Sequence, residues 1–261
     1  MLPDWRVAAS YDVLLDADPY GMAWEWLRRT DAYRAAWGGL RRASIAPPAE
    51  TFGLERYEDP GLPVPSARPI WSATVCPDVL RAYVSDPFAA ERDRIDLRLL
   101  SRFVSVAISS DDVEHLLLSD GLHSIRIDIV VGTLIGCPSG LTYLLHGISG
   151  LKGPMRSLER LARIVTTGKL EASSQISIRR RHRWITELRV ADALSAHADH
   201  QAIARELYGA AISSSRWRLE SAPYRRRVQR LVAHARRRRV RPLEGWFDPD
   251  VRCGANGGPA D

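Results

Sequence analysis

The chain has 261 residues, 45% hydrophobic and 26% charged, with a formal net charge of +6. That apolar content supports real cores and excludes a wholly disordered chain. Three cysteines, Cys76, Cys137 and Cys253, are odd in number and in no C-x-x-C spacing, which argues against a disulfide framework or a structural zinc site and favours buried thiols in the cytoplasm.

The charge is unevenly divided. From Leu151 to Asp261 there are 23 Lys/Arg against 11 Asp/Glu, whereas the first 150 residues hold 14 against 20. A basic carboxy-terminal part supplies sequence-independent phosphate affinity, while an acidic front half is repelled from DNA and is free to meet protein. Surface arginine by composition alone does not place 17 basic and 5 acidic residues between Ile176 and Arg241. Nucleic acid is therefore the leading partner.

The first ten residues include Asp4 and Arg6 and lack the apolar core of a secretory signal. Residues 1–46 are rich in aromatics: Trp5, Tyr11, Tyr20, Trp24, Trp26, Tyr33 and Trp37. Asp18-Pro19 is an N-cap and N1 pair that opens a helix to Arg29, and Thr30 caps a second helix to Arg42. The aromatics read as the core of a small helical module. Residues 47–69 are Pro-rich and aperiodic, a connector.

A β-rich central domain follows over residues 70–175, with strands expected at Ile70–Val75, Leu80–Val84, Phe103–Ile108 and Val113–Leu118. Ser119-Asp120-Gly121 then turns into an alternating run from Leu122 to Ile129, a hairpin signal within a small antiparallel sheet. Ile129 to Leu151 carries no formal charge and is long enough for a membrane span. The Gly136-Cys137-Pro138-Ser139-Gly140 turn in its middle argues against one. A helix carrying Met155, Leu158, Leu161 and Ile164 closes this domain.

Residues 176–247 read as a helical DNA-binding domain. A helix from Ile178 to Ala196 opens on Arg179, Arg180 and Arg181, which are either a solvated helix end or phosphate contacts. Asp199 caps a helix from His200 to Tyr208 ended by Gly209, the first helix of a helix-turn-helix. After a connector with Trp217, Ser221 caps and Pro223 starts the second. Advancing 100° per residue puts Tyr224, Val228, Leu231, Val232 and Ala235 on one apolar stripe. Arg226, Arg230, Ala233 and Arg237 then lie opposite, with Gln229 at the edge and Arg225 and Arg239 beside the stripe. Arg226, Gln229 and Arg230 are the candidates for base readout; Arg227, Arg237 and Arg179 to Arg181 are candidates for further DNA contact. Residues 248–261 form a short tail expected to be mobile.

Catalytic patterns are weak. Gly147-Ile148-Ser149-Gly150-Leu151 misses the nucleophile elbow at its last glycine, and Gly147 to Gly153 fails the phosphate-loop spacing. His197 and His200 offer possible metal ligands, but Asp199 between them is better spent as a cap. Asp111, Asp112 and Glu114 read as solvated loop carboxylates. No catalytic residue, cofactor or metal is assigned.

Two stretches resemble known families. Trp5-Arg6, Tyr11, the string Ala23-Trp24-Glu25-Trp26-Leu27-Arg28-Arg29 and Tyr33 resemble a proteobacterial transcriptional-regulator-like domain. Leu116 to Gly121, Leu188-Arg189-Val190-Ala191-Asp192-Ala193, Ala202 to Gly209, Trp217 and Arg225 to Ala235 resemble the RovC-type DNA-binding domain of type VI secretion transcription factors. That family usually closes its last helix with Gly-Gly-Tyr, where this chain has Glu244-Gly245-Trp246. The resemblance implies a transcriptional activator acting on type VI secretion genes or on excision of integrative and conjugative elements.

The expectation is an α+β chain: an N-terminal helical module, a small central antiparallel sheet and a C-terminal helix-turn-helix domain. Its partners are double-stranded promoter DNA, a second copy of itself, and RNA polymerase or a small antiactivator protein; its place is the cytoplasm, at the nucleoid. The alternatives are an architectural accessory factor for recombination and a hydrolase using the sheet. Removing residues 1–46 is expected to lower assembly and leave residual DNA contact.

Overall fold

The structure, a computed structural model, describes residues 2–42, 45–86, 88–148, 150–170, 176–209 and 222–248. It is a mixed α and β architecture with two hydrophobic cores. Residues from both ends of the chain build one core, and the central sheet with a covering helix builds the other.

A 3-10 helix over Ala8–Leu15 precedes α1 (Pro19–Leu27) and α2 (Asp31–Arg41). Both caps stand where the residues place them. Asp18 accepts from Gly21 N at 2.8 Å, and Thr30 Oγ1 accepts from Tyr33 N at 3.3 Å. Every residue of α1 is buried, and so are Trp5, Tyr11 and Tyr33. Of the aromatics, all but the half-buried Trp37 are core.

The Pro-rich segment wraps this module closely. Trp24 Nε1 donates to Leu62 O at 2.9 Å, Arg28 Nη1 to Pro60 O at 3.1 Å, and Val64 N to Glu25 Oε1 at 2.8 Å. The strand expected at Ile70–Val75 is absent: Trp71 makes one isolated antiparallel bridge with Leu54. Ser72 turns the chain instead, its carbonyl accepting from Val75 N and Cys76 N at 3.1 and 2.9 Å.

Six strands follow: β1 (Leu80–Asp86), β2 (Arg94–Ile95), β3 (Val104–Ile108), β4 (Glu114–Ser119), β5 (Ser124–Val131) and β6 (Ser139–Leu144). Their order is β2-β6-β1-β5-β4-β3. The Asp-Gly turn joins β4 to β5 as a hairpin, Leu116 opposite Ile127 and Leu118 opposite Ile125. The sheet is not wholly antiparallel, because β1 runs parallel to β5. Leu80, Leu116, Leu118, Ile125, Ile127 and Ile129 pack against Leu161 and Ile164 of α3 (Lys152–Thr167). The opposite face carries Leu117, Arg126, His115 and Asp128. Arg126 Nε donates to Trp71 O at 2.8 Å, and His115 Nδ1 lies 2.8 Å from Asp128 Oδ1.

Glu114 is also not a solvated loop acid. It begins β4, is buried, bonds Thr133 Oγ1 and accepts from Leu134 N at 3.0 Å. Of the thiols, Cys76 is buried, and that burial pushes it up to about 11. Cys137 is exposed, contrary to the expectation, because it sits in the Gly136–Gly140 turn; Cys253 lies outside the described residues. The uncharged stretch from Ile129 to Leu151 is divided between β5, that turn and β6. Among the described residues no helix is long and apolar enough to cross a membrane.

The remaining helices are α4 (Ile178–Ser195), α5 (His200–Tyr208) and α6 (Ala222–Val240). Asp199 caps α5, accepting from Ala202 N at 2.7 Å. Trp184, Leu188, Ile203, Val228 and Val232 join Trp24 and Trp26 in one core, which Trp246 completes against Trp184, ring centroids 4.7 Å apart. Ser221 and Trp217 lie outside the described residues.

A buried polar network crosses this core. Arg29 meets Asp192 as a fork, Nε to Oδ1 at 2.8 Å and Nη2 to Oδ2 at 3.0 Å, and Tyr11 donates to Asp192 Oδ2 at 2.7 Å. On the other side Glu25 bonds Arg29 and accepts from Arg28 Nε at 2.9 Å. The expectation that residues 1–46 can be removed with DNA contact left behind loses its basis, because α4 would keep a buried carboxylate without its cation.

The network sets a pH dependence. Burial pushes the Glu25 carboxyl up, but Arg29, Arg28 and the Val64 amide outweigh it and hold the group below the usual carboxylate range. At Asp128 burial is likewise outweighed, by His115 and Arg126. Depressed acids stabilise fully above their unfolded value of about 4, and the contribution is lost as pH falls through the lower folded value. Asp18, raised by burial, has the opposite sign and offsets part of the loss. The unfolding free energy from urea titrations is therefore expected to fall below about pH 4. A value that held steady or rose on acidification would contradict this assignment.

Candidate nucleic-acid interface

Helix α6 is anchored along one side and bare along the other. Val228, Val232 and Ala235 are fully buried, and Tyr224 and Leu231 are half-buried. The stripe thus lies where the 3.6-residue period puts it. Tyr224 stacks near Tyr208 at 5.1 Å between ring centroids, tying the start of α6 to the end of α5. The start of α4 lies beside the end of α6. The unit is three helices, α4 holding α6 from behind and α5 bracing its start.

Arg226, Arg227, Gln229, Arg230, Ala233 and Arg237 are all exposed. Pro223, Arg226, Arg227, Gln229, Arg230 and Ala233 line one shallow depression of about 550 Å³. Among the described residues no carboxylate pairs with Arg226, Arg227 or Arg230. Such guanidinium groups are available to a ligand at no cost in broken ion pairs. Arg225 and Arg239 are half-buried beside the stripe, as the wheel places them, and Arg239 reaches Asp31 of α2 at 3.8 Å.

The other candidates divide. Arg179 is exposed, and Arg180 lies over the Trp184 ring at 5.5 Å. Arg181 turns toward the front module, where it donates to the Leu15 carbonyl. Arg237 carries a forked ion pair with Glu244, Nε to Oε2 at 3.1 Å. That hydrogen bond, with the charges of Arg237 and Arg241, holds the Glu244 carboxyl below its usual range against an opposing burial effect.

Sequence reasoning missed two residues. Arg238 belongs to the basic run yet turns inward, its guanidinium 4.2 Å from the Trp246 ring and 3.5 Å from Glu187. The wheel carries the signal, since Arg238 falls about 40° before Tyr224 at 100° per residue. His234, exposed between Arg230 and Arg237, was hidden by the arginines around it. The His197 to His200 stretch supplies a cap through Asp199.

Comparison with known families places the two motif-bearing stretches. Residues 4–56 match the proteobacterial transcriptional regulator-like domain, and residues 149–238 match the DNA-binding domain described for type VI secretion transcription factors. No curated protein matches the chain. The two matched domains meet through the buried Arg29–Asp192 pair, one partner from each.

Proposed function

We propose that this chain, which carries a regulator-like domain and a transcription-factor DNA-binding domain, is a sequence-specific transcriptional activator that inserts α6 into the DNA major groove. The observation that carries the reading is the row Arg226, Gln229, Arg230 and Ala233, exposed and unpaired among the described residues on a helix whose opposite side is locked in the core. Arginine forks suit the paired acceptors of guanine, and glutamine the donor and acceptor of adenine. Arg179, Arg180, Arg227 and Arg237 would add phosphate contacts.

The target class, type VI secretion genes or excision of an integrative element, comes from the resemblance. The acidic front module would serve assembly with a second copy, or contact RNA polymerase or a small antiactivator. The second reading, an architectural factor, draws on the same basic surface and differs in the footprint. Protection at defined promoter sites supports the activator; smooth coverage of all DNA supports the architectural factor.

Since both ends of the chain share one core, the test is made on the full chain. If about five phosphates are neutralised, the slope of log affinity against log salt is about −4 to −5. A slope near zero by fluorescence anisotropy would remove the electrostatic basis of the reading.

A further inference from the structure

The start of α4 and the end of α6 enclose a groove of about 490 Å³ with Arg180, Arg183, Glu187, Arg237, Glu244 and Asp248 in its lining. Its four arginines, Arg180, Arg183, Arg237 and Arg238, outnumber its three carboxylates, Glu187, Glu244 and Asp248. Glu187 is buried and faces two arginines, Arg183 at 3.0 Å and Arg238 at 3.5 Å, so one carboxylate is set against two guanidinium groups. Among the described residues no carboxylate pairs with Arg180. On the surface side the Glu244 carboxylate fills the fork of Arg237 and lies 4.0 Å from Arg241.

A carboxylate in a guanidinium fork occupies the geometry that two phosphate oxygens take. Glu244 sits on the surface turn after α6, and its side chain is 38% exposed, so it can leave without disturbing the core. Its hold on the chain is separate: the turn is anchored by Trp246, two residues on. The exposed row from Arg226 through Arg230 and Ala233 to Arg237 leads along α6 into this groove. DNA whose bases met the start of α6 would bring a strand to its end.

We propose that the groove between α4 and α6 is a track for one phosphodiester strand of bound DNA, with Glu244 standing in for a phosphate on Arg237 while DNA is absent. The inference rests on the proposed DNA-binding function and adds the strand's path and an internal competitor. Binding then exchanges the Glu244 pair for a phosphate pair, which lowers affinity for all sequences equally.

The test uses the full chain, a labelled duplex oligonucleotide of mixed sequence and a second of unrelated sequence, across a salt series. Glu244→Gln should tighten both duplexes about threefold or more at low salt and steepen the log-log slope by up to about one unit. Arg180→Ala should weaken both and flatten the slope by about one unit. In an Arg237→Ala background the gain from Glu244→Gln should vanish, which a general charge effect would not produce. Unchanged or weaker binding by Glu244→Gln, a gain confined to one sequence, or the same gain without Arg237 would each overturn the track. Wild-type protein that bound neither these duplexes nor promoter DNA would overturn the function itself, whereas wild-type binding with an inert Glu244→Gln sinks only the track.

Discussion

Asp192→Ala is expected to cost about 3 to 5 kcal/mol of stability, because it leaves the buried Arg29 guanidinium with Glu25 as its remaining carboxylate partner. Both side chains of the pair are 5% exposed or less, so water cannot replace the lost oxygens. The Tyr11 hydroxyl, which donates to the same carboxylate, is stranded as well. For a chain of this size such a loss lowers the melting temperature by on the order of 10 °C. Near-ultraviolet circular dichroism follows the tryptophans of the shared core, Trp24, Trp26, Trp184 and Trp246. Replacing both partners by apolar residues, Arg29→Met with Asp192→Leu, should cost less than the single change, since no charge is then left alone. A melting temperature for Asp192→Ala within about two degrees of wild type would refute the role given to the pair. Arg29, on the acidic front half, is thereby expected to affect DNA binding without touching DNA, because it holds α4, against which α6 is set.

Arg226→Ala and Arg230→Ala are each expected to cost about 1 to 3 kcal/mol of affinity at the specific site and to relax base preference at the position each one reads. Both side chains are exposed, and no ion pair among the described residues engages either, so the loss reflects the DNA contact rather than a weakened fold. Arg225→Ala and Arg239→Ala, at half-buried positions beside the apolar stripe, serve as controls. Binding-site selection from a randomised duplex pool separates the cases. If the Arg226 and Arg230 variants retain the wild-type site preference while Arg225→Ala or Arg239→Ala abolishes it, the assignment of faces to α6 is wrong.

The residues themselves determined the elements whose causes are local. Asp18, Thr30 and Asp199 cap their helices because a short acceptor side chain reaches an amide three residues on. The Asp-Gly turn fixes the β4–β5 hairpin, and the apolar spacing of α6 fixes which arginines face outward. The two family resemblances were legible for the same reason, being carried by short contiguous strings.

Tertiary structure decided what those elements meet. Periodicity states that a face is buried but not against what, so nothing local announces that Arg29 and Asp192, 163 residues apart, form one pair, or that the two ends of the chain share a core. The parallel pairing of β1 with β5 was hidden likewise, because the intervening β3 and β4 read as a simple antiparallel run. Ile70–Val75 has the composition of a strand, yet Ser72 satisfies its neighbours' amides in a turn. Within the basic run, charge alone could not separate Arg238, drawn inward by Glu187 and Trp246, from Arg237, which stays outside with Glu244. The helical period sets Arg238 beside the apolar stripe and Arg237 away from it, but the partners each one meets come from other parts of the chain, and a partner's position exists only once the chain is folded.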